Sequence, residues 1–592
     1  MTQTDSPDQK RLWRWLHAWR DRYAPADWPA LRVLLAVQAV LQLSAIGWDL
    51  PASFEWENDA VAPRDFFAGI ALNLPPGPGH TYPLLHNLLL GLVNLPTLLI
   101  SALTAPSWQP DALMRHVLDY PTMTAVYLAA KLLAVAMGLL ALAALARLTA
   151  RLWNRRAAQW AVAWAIVNVS VAYYGRTANL DGPYLCWMAL AAERLLDVVE
   201  FGNLRDYKVF ALLVAASIAT KDQAYAAWLL PGPIVLVIWP ALAPRALAAG
   251  KNHWKFMAIA IPVGALGLAA MGGALWNPPG FVHRLQTLAG PASQDWRIFP
   301  ATLAGLRQNI LELLKNAPEH WWPLPVLALA LAGLLAQARG PLLRLLPLLL
   351  GLSYVLGFTL VVGRAGHRFT LPLGFWLAAY LGVASAWLTE RWAVRALIPL
   401  QILWLWPLAQ TLTVEVTQWR DARRPVEAWL AQLPPHTRVI ATGGTVTQPR
   451  WGRPALAHLD VARVGPTPPG NRNPLLGVTE LQGNFMDIPA MQPDVIVFSS
   501  PPDAELPLPP PQPGAATSLP QFVQREQADG SRDFVQLALA NRVPGYEATR
   551  VRTGLPAWMT ALGFAVGNIQ SSVGNDEVVL LNKNRRFPPL LR

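Results

Sequence analysis

Residues 84–104 read LLHNLLLGLVNLPTLLISALT, and the side on which every later loop lies turns on whether they cross a membrane. The stretch is apolar enough to span, yet it carries His86, Asn87, Asn94 and Pro96. Around it, apolar runs approaching the roughly 20 residues that a bilayer core requires occur at about 30–47, 122–146, 157–174, 183–199, 207–220, 224–243, 256–274, 320–337, 343–362, 369–388 and 394–413, about eleven in all. Loop charge decides how 84–104 is read, because Lys and Arg collect on the cytoplasmic side. The tail before the first run holds Lys10, Arg11, Arg14, Arg20, Arg22 and Arg32, which places it in the cytoplasm. With 84–104 in the interface, Arg147, Arg151, Arg155, Arg156, Arg205, Lys208, Arg245, Lys251, Lys255, Arg339, Arg344, Arg391 and Arg395 all fall on that same side. Read as a span, it would put most of them outside. The expectation is an interfacial helix at 84–104. The first run, short and preceded by basic residues, has the outline of a secretory signal, but nothing later depends on its retention.

Composition points the same way. The 592 residues are 53% hydrophobic and 14% charged, against about a quarter charged in soluble domains, which excludes an ordinary soluble globular protein. The mean hydropathy of +0.29 requires a sizeable polar part beside the spans. Twenty-seven Trp fit interfacial aromatic belts better than a core. The single cysteine, Cys186, excludes an internal disulfide and thiolate metal sites. A net charge of +12 does not argue for nucleic acid, since the cations lie in short clusters beside apolar runs.

From about 414 the character changes. WRDARRPVEAWLAQLPPHTRVIATGG reads as a short helix followed by a strand at 438–441, further strands are expected at 494–498 and 577–581, and 501–514 is a Pro-rich loop. The chain thus divides into a cytoplasmic tail (1–29), a membrane domain (30–413) with its first outward loop at 48–121, and an outward α/β domain (414–592). Gly443-Gly444 after the first strand is too little to make a nucleotide site.

Four outward segments carry chemistry. The first loop, SFEWENDAVAPRDFFAGIALNLPPGPGHTYPLLH (53–86), sets Glu55, Glu57, Asp59 and Asp65 against Arg64 and interleaves them with Phe54, Trp56, Phe66 and Phe67. A solvated acidic loop would obey the charge rule; carboxylates beside aromatic rings at a membrane surface also suit general-base work, because partial desolvation raises their proton affinity. In YYGRTANLDGPYLCW (173–187), Asp181 stands where a helix N-cap would, and Arg176 is placed to pair with it or to face a phosphate. In ASIATKDQAYAAW (216–228), Lys221 is placed either to neutralise a phosphate or to pair with Asp222. In VVGRAGHRFTLPL (361–373), Arg364, His367 and Arg368 gather on the side that should be cation-poor, where lipid headgroups or a phosphorylated lipid substrate would answer them.

An acidic first loop, His80-x-x-Pro83, Asp181-Gly-Pro, Thr-Lys221 and His367-Arg-Phe, in that order, together resemble the GT-C glycosyltransferases. The chain looks like the bacterial relatives of the protein O-mannosyltransferases and of the lipid A aminoarabinose transferase over about residues 30–413. The resemblance implies an α-helical polytopic membrane protein of the bacterial cytoplasmic membrane, with a periplasmic C-terminal domain. It implies a polyprenyl-phosphate-linked sugar as donor, an acceptor hydroxyl on a lipid, glycan or protein, and no certain cofactor, a divalent cation being possible. Carried across by position, the first-loop acid falls on Asp59, with Glu57 next; relatives show an adjacent Asp-Glu pair where this chain has Glu57-Asn58-Asp59-Ala60, so the base stays open between the two. Asp181 matches the second acidic position, Lys221 the lysine after the fifth span, and Arg364 and Arg368 the late cations. WNPPGFVHRLQTLAGPASQDW (276–296) resembles the loop after the seventh span, with His283 toward the lipid phosphate.

Two other classes compete. A secondary transporter or flippase would use scattered intramembrane charges too, but the halves of this chain show none of the internal repeats typical of that class. A scaffold presenting the C-terminal domain would leave the acidic loop and the outward cations without a reason to occur together.

Overall fold

The computed structural model describes residues 28–590, apart from 58, 78, 80–81, 243–246, 290–296, 338–339, 365, 470–474, 501–529, 553–554, 557 and 560–575. The chain is mostly helical, with a small sheet near its C-terminus. Among the described residues six helices are long and apolar enough to cross a membrane: Leu84–Thr104, Tyr120–Leu152, Gly250–Met271, Leu342–Val362, Leu371–Trp392 and Val394–Leu430. The pair Asp222–Trp228 and Pro231–Ala241, bent by 40°, makes a seventh if counted as one span. Pro29–Ser44 and Leu324–Leu335 are apolar but shorter.

Local chemistry sets the breaks. Asp119 accepts from the Thr122 amide at 2.8 Å and starts the Tyr120–Leu152 helix. The run expected at 157–174 is two helices, Arg155–Ala165 and Val169–Tyr174, begun by Asn154 and Asn168, whose side chains accept from the Ala157 and Val171 amides. Small residues bring helices together. A Cβ on Gly382 would lie 2.3 Å from the Ala157 carbonyl, so only glycine lets Leu371–Trp392 approach Arg155–Ala165 this closely.

Some tryptophans are core residues, while others, such as Trp108, Trp276, Trp387 and Trp406, are exposed. Trp56, Trp164, Trp322 and Trp376 are fully buried. The Trp164 ring N–H donates to Ser385 at 2.9 Å, which satisfies the one polar atom such a core position must answer.

The bundle has two chemically different ends. At one, Arg155 lies over Trp28, Arg344 donates to the Leu152 carbonyl, Arg156 pairs with Glu390, and Arg147 and Arg151 grip Glu193 and Asp197. Arg147, Arg151, Arg155, Arg156 and Arg344, five of the basic residues predicted to share a side, are thus gathered here, while Arg245 and Arg339 lie outside the described residues. The opposite end carries the residues singled out for chemistry. Both termini of Leu84–Thr104 touch that second end: Leu84 lies against Gly273, next to the Gly272 carbonyl that Arg284 holds, and Ser101 takes a hydrogen bond from Thr122 at the start of Tyr120–Leu152. Its Asn87, Asn94 and Ser101 face the protein, while Leu88, Leu92, Leu95, Leu99 and Leu103 are exposed, an apolar stripe at helical spacing.

The helix expected to end at 413 runs on to Trp419, so the polar part begins later than its composition suggested. After the short helix Arg423–Leu430 come strands β1 (Arg438–Thr442), β2 (Asp460–Gly465), β3 (Thr479–Gln482), β4 (Val495–Ser500), β5 (Tyr546–Val551) and β6 (Asp576–Asn582). Their order is β3-β2-β1-β4-β6-β5, with the first four parallel and β6 and β5 antiparallel. The three strands expected from sequence are β1, β4 and β6; the Pro-rich loop lies outside the described residues. Alternation sorts the two faces. Val439, Ala441, Val495 and Val497 pack with Val426 and Leu430 of the preceding helix, whereas Ile440, Ile496 and Phe498 pack with Phe534 and Ala538 of Ser531–Leu539.

Candidate functional site

The first loop is pinned before it reaches its acids. Asp49, fully buried, takes Lys131, Tyr127 and the Trp56 amide. Farther along, the Val61 amide donates to the Ala178 carbonyl at 2.8 Å. Between these anchors stand Glu57 and Asp59.

The two carboxylates have different surroundings. Glu57 is 1% exposed, and neither of its oxygens has a hydrogen bond of good geometry, although Thr177 faces it and Lys131, Asp49 and Asp181 lie near. Burial pushes its proton affinity well above the ordinary carboxylate range, with Lys131 opposing. Asp59 has a side chain 30% exposed, takes the left-handed backbone (φ 64°) that Asp tolerates better than most residues, and receives Arg368 as a direct partner. Arg368 comes from the turn before Leu371–Trp392 and lies over the Phe369 ring at 4.8 Å, with Arg364 over the same ring at 5.7 Å. Burial lowers the Arg368 guanidinium to about 10, with Glu57 opposing, so it remains a cation at neutral pH.

Two more pairs stand at this end. Lys221 donates to Asp181 at 2.6 Å, both buried, and Arg284 reaches Asp222 at 3.6 Å. Tyr82 lies among Asp181, Asp65, Glu57 and Asp222, and burial and these acids hold its hydroxyl protonated. His367 is buried, its ring 3.8 Å from that of His320, with Ser170 at 3.4 Å and Glu319 at 3.9 Å; burial keeps it neutral.

Several sequence expectations change. Asp181 is no N-cap: the cap position is Leu180, and the Asp181 carboxylate turns to Lys221. Lys221 accordingly pairs with Asp181, not Asp222. Arg176 neither meets Asp181 nor faces an open site; it is buried against Glu415 and Gln418 of Val394–Trp419, holding that helix to the Tyr173–Asp181 segment. Arg64 is engaged by Glu55 at 2.9 Å and Asp65 at 3.1 Å within its own loop. Burial raises Glu55 to about 8 despite Arg64. His283 is exposed, and its neighbour Arg284 points inward instead. His80 lies outside the described residues. Sequence reasoning overlooked Arg284, Thr177 and Lys131; the last had a signal, a cation within the apolar run 122–146. Among the described residues no group of three His, Cys, Asp or Glu is arranged to hold a metal ion.

Fold and site together define a helical membrane protein with a group of carboxylate–cation pairs at one end of its bundle, among them Asp59–Arg368, Asp181–Lys221 and Asp222–Arg284, and a small α/β domain on that end. In solved structures the chain is similar to ArnT from Cupriavidus metallidurans, at 12% identity over 92% of this chain and 97% of that one in the apo state, TM-score 0.44. The same protein bound to undecaprenyl phosphate matches over 94% and 98%, also at 12% identity and TM-score 0.44. The Archaeoglobus fulgidus oligosaccharyltransferase AglB, in complex with an inhibitory peptide and a dolichol-phosphate, is 12% identical over 79% and 69%, TM-score 0.40. No protein-family profile and no curated protein matches the chain. The functional reading therefore rests on this chain's own residues.

Proposed function

We propose that this protein is an inverting membrane glycosyltransferase that moves a sugar from a polyprenyl-phosphate carrier to an acceptor hydroxyl at the extracytoplasmic face. The observation that carries the reading is the contact of Arg368 with Asp59, on the same end of the bundle as Lys221 and Arg284. Each cation is held by a carboxylate, so each is pre-placed where an anionic donor can recruit it.

In the resting protein the Asp59 carboxylate is occupied by Arg368. A donor phosphate that draws Arg368 toward itself frees the Asp59 carboxylate, which then accepts the proton of the acceptor hydroxyl. The acceptor oxygen forms its bond to the anomeric carbon as the bond from that carbon to the phosphate oxygen breaks. The polyprenyl phosphate departs with its negative charge stabilised by Arg368, Lys221 and Arg284. Asp59 is preferred to Glu57 because it is the more exposed of the two.

The gathering of the basic loops at the far end supports a cytoplasmic placing for that end. The contacts of both ends of Leu84–Thr104 with the site end support an interfacial helix and about eleven crossings of the bilayer. The C-terminal domain then shares the outer side with the site.

The test is transfer by the purified protein in nanodiscs given a polyprenyl-phosphate sugar and a lipid or glycan acceptor. Release of polyprenyl phosphate that depends on Asp59 supports the reading. Movement of an intact lipid-linked sugar across the bilayer, without cleavage, overturns it in favour of a flippase.

A further inference from the structure

The sheet of the C-terminal domain reverses its strand order between β1 and β4. In open α/β sheets the carboxyl ends of the strands at such a reversal form the crevice where ligands bind. Here that place is framed by the turn after β1 and by Ser499 at the end of β4, which bonds the Thr447 carbonyl at 2.8 Å. Gln448 folds back on the Thr442 carbonyl at 2.6 Å, leaving its own carbonyl directed at the membrane domain. That carbonyl receives the indole N–H of Trp56 at 2.7 Å.

Trp56 is held on its faces as well. The Arg423 guanidinium lies 3.8 Å and the Arg450 guanidinium 4.8 Å from the ring centroid. Both arginines are fixed by carboxylates of the same domain, Arg423 by Asp421 at 2.6 Å and Arg450 by Glu427 at 2.5 Å. Asp421 also accepts from the Trp48 ring N–H at 2.8 Å, and Arg450 donates to the Leu50 carbonyl at 2.6 Å. A fully buried tryptophan between two arginines that carboxylates hold in place is a stiff contact, because ring and guanidiniums can move only if the ion pairs and the indole hydrogen bond move with them.

We propose that the ligand crevice of the C-terminal domain has become a socket for Trp56, and that Trp56, Arg423 and Arg450 are positioning residues for the Glu57–Asp59 segment. This rests on the reading of that segment as the base-bearing loop. Trp56 immediately precedes Glu57 and stands three residues before Asp59, so a displaced indole shifts both carboxylates against Arg368. A base displaced by about 1 Å loses on the order of a hundredfold in rate without a matching loss of binding.

The test uses the full chain in nanodiscs with Trp56→Phe, Trp56→Leu and Arg423→Lys. Phe keeps a smaller aromatic face for the arginines and loses the N–H bond; Leu loses both face and bond. Lys keeps a charge for Asp421 but not the planar stack. Amide hydrogen exchange over residues 52–63 should rise about tenfold or more in Trp56→Leu and Arg423→Lys, with the Tyr120–Leu152 and Asp181–Glu200 helices unchanged. In parallel kcat should fall about tenfold in Trp56→Phe and about a hundredfold in Trp56→Leu, while Kd for the polyprenyl-phosphate sugar stays within about twofold. Exchange equal to wild type in Trp56→Leu and Arg423→Lys overturns the socket, as does raised exchange with an unaltered kcat. If Trp56→Leu does not fold, Arg423→Lys and Trp56→Phe decide on the same two measurements. A wild-type protein that binds no donor removes the reading of the reaction, and the exchange result alone then upholds or removes the socket.

Discussion

Arg368 donates to the carboxylate of Asp59 across 309 residues of sequence, joining the first loop to the turn that precedes the Leu371–Trp392 helix. The two segments thus fix each other, and in the proposed mechanism this pairing is exchanged for one with an anionic ligand.

Replacing Arg368 with Ala is therefore expected to weaken binding of a polyprenyl-phosphate sugar about ten- to a hundredfold, since a charge-assisted hydrogen bond contributes roughly 1.5–3 kcal/mol. Lys should recover part of this, because a point charge lacks the planar fork. Asp59→Asn should bind donor normally and lose at least about a hundredfold in turnover. Equal binding by wild type and Arg368→Ala would remove the phosphate clamp from the mechanism.

The buried Lys221–Asp181 pair serves either stability or the donor, and two variants separate these. Lys221→Met alone should cost about 3–5 kcal/mol of stability by stranding the carboxylate. Adding Asp181→Asn should restore most of the stability. Donor binding should stay weak in the double variant; full recovery of both would make the pair purely structural.

Arg176 and Glu415 provide the contrast, since their pair ties the Val394–Trp419 helix to the Tyr173–Asp181 segment. Arg176→Met should destabilise by a similar few kcal/mol. Arg176→Met with Glu415→Gln should regain stability and keep turnover within about threefold of wild type. A specific loss of donor affinity in the double variant would return Arg176 to the site.

Glu577 in β6 is fully buried beside Ser499, and burial raises its carboxyl to about 8 from 4.5. The folded protein holds this proton more tightly than the unfolded chain does. Its stabilising contribution is thus complete below about pH 4.5 and is lost as pH rises to about 8. Glu577→Gln should flatten that part of the stability profile and unfold at a higher temperature than wild type at pH 9, by roughly 2–4 °C for each kcal/mol. Parallel Tm curves for the two proteins from pH 5 to 9 would refute the assignment.

The orientation can be checked directly. A reporter active only in the cytoplasm, fused after Arg592, should be silent, and one that needs the extracytoplasmic side should be active. The opposite result would make Leu84–Thr104 a span and reverse the side assigned to the site.

Sequence alone determined what local chemistry controls. Apolar runs of bilayer length and the β-branched segments β1, β4 and β6 depend on neighbours along the chain, and they located most of the helices and the strands of the C-terminal sheet. The same reasoning singled out Asp59, Asp181, Lys221 and Arg368 as candidates, and the structure shows them in two ion pairs, Asp59 with Arg368 and Asp181 with Lys221. Partnership was beyond its reach. Whether Lys221 meets Asp222 next to it or Asp181 forty residues away, whether Arg176 faces a ligand or Glu415, and whether His283 or Arg284 points inward are fixed by how helices are rotated and packed against each other. The burial of Trp56 between Arg423 and Arg450 is likewise invisible in one dimension, because the domain that encloses it begins more than 360 residues later. Charge and apolarity are properties of residues, whereas ion pairing and desolvation are properties of distances, and only the folded chain sets those.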